Sequence, residues 1–146
     1  MNINGMVDNI KKICEKYDIE GYVINKDLSI SVDRSVDLSG INLTELPLTF
    51  RSVTGTFDCS DNQLTTLKGC PTEITGSFFC EKNNLERLDY LPNKIGDNKG
   101  VFSDNIHGVG SEMADGIIVT YNKDDSYKLL LRSVRINSVL NDKWYL

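Results

Sequence analysis

The chain has 146 residues, 40% of them hydrophobic and 25% charged, which is the size of one domain and the balance of a globular chain rather than a disordered one. No apolar run approaches the roughly 18–20 residues of a membrane-spanning helix, and the first residues carry charges inside their apolar stretch with no cleavage-type pattern after it, so a secretory leader is not expected. A net charge of −5, from 16 basic and 21 acidic residues, argues against a nucleic-acid partner held through phosphate contacts.

The first predicted element is a helix over 5–17. Met6, Val7, Ile10, Ile13, Cys14 and Tyr17 fall at helical spacing, with Lys11, Lys12, Glu15 and Lys16 opposite. The stripe suits a cap on the end of a larger stack, or alternatively a helix that binds a partner. Next, Tyr22 to Val32 alternates about a polar Asn25-Lys26-Asp27 centre and predicts a β-hairpin.

From Val36 onward the chain repeats every 21 residues. Leu43, Leu64, Leu85 and Ile106 share one column, Leu46, Leu67, Leu88 and Val109 the next. Leu38, Cys59, Cys80 and Val101 form a third; Val36, Phe57 and Phe78 a fourth; Val53, Ile74 and Ile95 a fifth; Ile41, Asn62, Asn83 and Asp104 a sixth. A period in the twenties with such columns indicates stacked units that bury their apolar faces only against one another. Within each unit the F-x-C stretch is read as a short strand of a parallel sheet, with Phe57 and Cys59 inward and Asp58 outward. Asn62 and Asn83 then stand where the chain leaves the strand, and a buried Asn there can pair the turn's backbone groups.

The units F57-x-C59-x-x-N62-x-L64-x-x-L67 and F78-x-C80-x-x-N83-x-L85-x-x-L88 resemble the leucine-rich-repeat consensus, with Cys at one Leu position. The extensions through Cys70-Pro71 to Ile74 and Leu91-Pro92 to Ile95 are similar to the short bacterial type. Over roughly residues 20–110 the chain also resembles small leucine-rich-repeat-like proteins of tailed bacteriophages. The resemblance implies a bacterial-host protein as partner. The expected fold is α+β and β-rich: a short leucine-rich-repeat-like solenoid with a parallel sheet. It divides into an N-terminal helix-and-hairpin cap (1–34), the repeats (35–110) and a C-terminal cap (111–146).

The repeat decays at its end. Lys99 falls in the Phe column and Asp104 in the Asn column, while Val101, Ile106 and Val109 still fit. Beyond it, Gly116 to Tyr121 reads as a strand, Asn122 to Ser126 as a turn, and the stretch from Tyr127 to Leu140 as a helix or a returning strand. Residues 122–146 hold five basic and three acidic residues, a mild asymmetry that suits a solvated cap face.

Cys14, Cys59, Cys70 and Cys80 contain no C-x-x-C pair, and His107 is the single His. No metal or cofactor is expected from that set, and the cysteines read as reduced, buried thiols of a cytoplasmic protein. A Cys nucleophile with His107 as base is the enzymatic alternative, although three of the four cysteines occupy inward columns. The strand alternation puts Asp37, Ser39, Thr56, Asp58, Ser60, Ser77, Phe79, Glu81, Gly100 and Phe102 on the outer, concave face. Phe79 and Phe102 are the aromatic anchors there, and Asp37, Asp58 and Glu81 the acidic rim. The expected function is therefore a non-enzymatic protein–protein interaction module that modulates a host defence, transcription or nuclease protein. A structural role through self-association at an open sheet edge is the alternative.

Overall fold

In a computed structural model of the protein, residues 2–85, 89–96, 100–101, 109–114 and 117–122 are described, the last three segments as backbone strands. Helix α1 (Ile3–Lys16) begins at Asn2, whose side-chain Oδ1 accepts from the Gly5 amide at 2.8 Å, a cap that satisfies one of the helix's orphan donors. It ends at Lys16 with Tyr17 as its C-cap, and the next residue, Asp18, takes a left-handed φ of 53°. The Ile19 amide then reaches back to the Cys14 carbonyl at 2.8 Å and the Asp18 amide to Glu15 at 3.3 Å, a Schellman closure. Ile10 and Cys14 are buried, while Ile3 and Met6 are exposed. The helix thus buries its C-terminal half against the core, while in its first turns Val7 is half-buried and Ile3 and Met6 stay exposed.

Strands β1 (Tyr22–Ile24) and β2 (Ile30–Val32) form the expected hairpin, antiparallel with Tyr22 opposite Val32 and Val23 opposite Ser31. From there the strands alternate between two sheets. Strands β3 (Val36–Asp37), β5 (Phe57–Asp58), β7 (Phe78–Phe79) and β9 (Gly100–Val101) make one parallel sheet. Strands β4 (Phe50–Val53), β6 (Glu73–Ile74) and β8 (Lys94–Ile95) continue parallel from β2 in the order β1-β2-β4-β6-β8. A single parallel sheet was the expectation; the second arises because Val53, Ile74 and Ile95 recur at the same period as the Phe column and pair just as regularly.

The core lies between the two ladders. Phe50 of β4 meets Phe57 of β5 edge to face at 5.0 Å, and Phe57 stacks on Phe78 at 6.3 Å. Leu38, Cys59, Leu64, Leu67, Cys80 and Leu85 fill the remainder. Successive repeats approach closely at Gly55 and Gly76, which occupy the same place 21 residues apart. A Cβ on Gly76 would come within 2.7 Å of the Gly55 backbone, so only glycine admits the Gly76 amide to its 2.8 Å bond with the Gly55 carbonyl.

The fourth repeat departs from the expected register. Val36 faces Phe57 and Phe57 faces Phe78, each 21 residues on, but Phe78 faces Gly100 rather than Lys99. Five residues lead from Ile95 to Gly100 where four lead from Ile74 to Phe78, so one extra residue shifts the strand. A shift of one residue exchanges the two faces of a strand. Val101 therefore stands beside Phe79 and not in the Cys80 column. Val109 is also reassigned: it opens β10 (Val109–Ala114), which pairs antiparallel with β11 (Ile117–Asn122) in a hairpin. The helix-or-strand alternative for 127–140 lies outside the described residues. Among the described residues no helix is long and apolar enough to cross a membrane.

Candidate functional site

Each strand of the β3–β5–β7 ladder is only two residues long, so one residue faces the core and the next faces out. Val36, Phe57 and Phe78 are buried; Asp37, Asp58 and Phe79 form the outer row, in register across the three strands. Asp37 is exposed, and Asp58 and Phe79 are half-buried. Phe102, the second expected aromatic anchor, lies outside the described residues. With Gly100 in register with the core-facing Phe78, it is Val101 that continues the Asp37–Asp58–Phe79 row.

The two aspartates are held by the serines two residues on. Asp37 Oδ1 accepts from the Ser39 amide at 2.9 Å and its hydroxyl at 2.6 Å. Asp58 Oδ1 accepts the same pair from Ser60 at 2.9 and 2.6 Å. These donors hold the Asp37 carboxyl below its ordinary value. The same D-x-S pairing closes the hairpin turn at Asp27 and Ser29. The recurrence was present in the sequence and would have marked these aspartates as fixed rather than floppy.

The third repeat replaces the motif with Phe79-Cys80-Glu81. The Glu81 side chain meets Ser60, yet its Oε2 is buried without a hydrogen-bond partner. Burial, and then the charges of Asp58 and Asp61, push the Glu81 carboxyl up. The exposed Asp37 and half-buried Asp58, in register with the half-buried Phe79 ring, are suited to an ammonium or guanidinium group with an apolar stem.

Two residues expected on this face are not exposed. Ser60 is only 5% accessible, because its hydroxyl turns to Asp58 in the crowded row beside Glu81. Ser77 is 8% accessible, because its segment is drawn against the preceding repeat: its amide donates to Thr56 Oγ1 at 3.3 Å, as the Thr56 amide does to Ser35 Oγ at 2.9 Å. The face is therefore the Asp37–Asp58–Phe79 row with Glu81 at its margin, narrower than the alternation alone implied.

All four cysteines are free and buried. Burial raises the Cys59, Cys70 and Cys80 thiols far above their ordinary value, and raises Cys14 against a hydrogen bond with Tyr22 that lowers it. Thiols held in that form are poor nucleophiles. His107 lies outside the described residues. Among the described residues no group of three or more His, Cys, Asp or Glu is arranged to hold a metal ion. Comparison with protein-family models, with curated proteins and with solved structures returns no match.

Proposed function

We propose that the chain is a non-enzymatic protein–protein interaction module, built as a short leucine-rich-repeat-like solenoid, whose binding surface is the outer row Asp37, Asp58 and Phe79 with Glu81. The observation that carries this reading is the register itself. Three successive repeats present Asp, Asp and Phe side by side on one rigid ladder, an aromatic anchor with an acidic rim. Interfaces concentrate their binding energy in such anchors, and complementary charge sets partner choice. The raised, buried thiols favour a binding role over a Cys-dependent enzyme. The partner is a protein presenting a Lys or Arg beside an apolar side chain. On the textual likeness to phage repeat proteins, it is a bacterial host protein met in the host cytoplasm.

The experiment is a comparison of wild type with Phe79→Ala and with Asp58→Lys as baits in bacterial lysate, followed by titration of the captured protein against all three. A genuine target loses at least about tenfold in affinity with each variant, equivalent to about 1.4 kcal/mol. Unchanged affinity for both variants, with each still folded by circular dichroism, overturns the assignment of this face.

A further inference from the structure

Strand β1 is the outermost strand of the five-stranded sheet. Its bonds to β2 are marked by the Asn25 amide on the Ser29 carbonyl at 2.8 Å and the Asp33 amide on the Gly21 carbonyl at 2.9 Å. Bonded pairs alternate along an antiparallel ladder, so Gly21, Val23 and Asn25 point their backbone groups at β2. Tyr22 and Ile24 then point theirs away, where among the described residues nothing pairs them. A groove of about 780 Å³ runs along this edge, with residues 22–26 on one wall and Ile3, Val7 and Lys11 of α1 on the other. That volume is within the range of about 300–1,000 Å³ typical of ligand clefts.

The walls are apolar and the rim is cationic. Val23 is 61% and Ile3 57% exposed, which is unusual for neighbouring large aliphatics unless something covers them. Lys11 and Lys26 line the groove, no acidic residue does, and neither lysine has an ion pair among the described residues. On a chain of net charge −5 this is a local reversal of sign.

We propose that this groove docks an extended, acidic–apolar peptide segment of a partner protein, which adds a strand to the outer edge of β1. Backbone bonds to Tyr22 and Ile24 supply the pairing, alternate apolar side chains cover Val23 and Ile3, and carboxylates meet Lys11 and Lys26. The charges select this occupant over two others. A second copy related by a two-fold axis would gather two unpaired lysines from each chain in one interface. The chain's own residues 122–146, with five basic and three acidic residues, carry the wrong sign. The site is separate from the Asp37–Asp58–Phe79 row and does not depend on it.

The test is fluorescence anisotropy of the full chain with a labelled hexapeptide alternating aspartate and valine. Its controls are a lysine-for-aspartate peptide and a version with alternate backbone amides N-methylated. The expected result is saturable binding of the acidic peptide that weakens with salt. It falls at least tenfold in the Lys11→Glu/Lys26→Glu variant, at least tenfold on N-methylation, and is undetectable for the lysine peptide. Absence of binding, equal binding of the two peptide charges, or indifference to N-methylation overturns the proposal. A concentration-dependent dimer that Val23→Lys dissociates also overturns it, by assigning the groove to a second copy.

Discussion

Asn62 Nδ2 lies 2.8 Å from the carbonyl oxygen of Leu38, 24 residues earlier in the chain. Asn83 repeats the relationship on Cys59 at 2.9 Å. Asn62 Nδ2 also serves its own turn, donating to the Cys59 and Ser60 carbonyls, while its Oδ1 accepts from the Ile41 and Leu43 amides of the preceding repeat. One buried side chain thereby ties each repeat to the one before it. Removing it strands several backbone groups away from water, where each unsatisfied group costs about 1–3 kcal/mol. Asn62→Ala is expected to lower stability by about 3 kcal/mol in urea denaturation. A loss below about 1 kcal/mol would contradict this account.

Phe57 is the ring shared by both ladders, touching Phe50 edge-on and Phe78 by stacking. Phe57→Ala is expected to cost about 3–5 kcal/mol by transfer and cavity terms. Phe57→Leu, which keeps most of the volume, is expected to cost less than half as much. Equal losses in thermal denaturation would mean that the rings do not link the ladders.

Glu81 gives a pH dependence of defined sign. Its carboxyl is raised in the folded chain above the ordinary 4.5, with burial as the leading cause. The folded state therefore binds the proton more tightly than the unfolded chain, and stability falls as pH rises from about 4.5 through the raised value. At neutral pH the charge is a liability, so Glu81→Gln is expected to stabilise the protein by up to about 1 kcal/mol, a small gain because solvent screens the exposed part of the side chain. The gain should vanish below pH 4. A variant that is less stable at pH 7 would show that the carboxylate is satisfied.

The thiols offer a chemical readout of the core. With Ellman's reagent, Cys59, Cys70 and Cys80 are expected to react at the rate of global unfolding, and Cys14 sooner, through fraying of α1. In denaturant all four should react at once. Rapid modification of Cys59 in the native protein would place it outside the core.

Most of the order of the chain is legible in its residues. The helix spacing, the hairpin around Asn25-Lys26-Asp27, and the buried role of Asn62 and Asn83 all follow from local pattern, because each is decided within a few residues or one repeat. The register of β9 is not legible in that way. Val101 and Gly100 fit neighbouring columns equally well by character, and the outcome turns on one additional residue after Ile95. The burial of Ser60 and Ser77 was also hidden, since alternation predicts direction but not how tightly the next repeat covers a small side chain. The second ladder was visible in the column of Val53, Ile74 and Ile95, but a column of apolar residues does not say whether it pairs or merely packs.

The spacing between strands bears on how such a chain could grow. From Val36 to Phe78 the interval is constant, and at Gly100 it lengthens by one. A duplication of 21 residues anywhere between Val36 and Ile95 would keep that interval between the strands it adds and their neighbours, whereas one of any other length would turn core residues outward. The lengthened step to Gly100 would travel with the last strand unchanged.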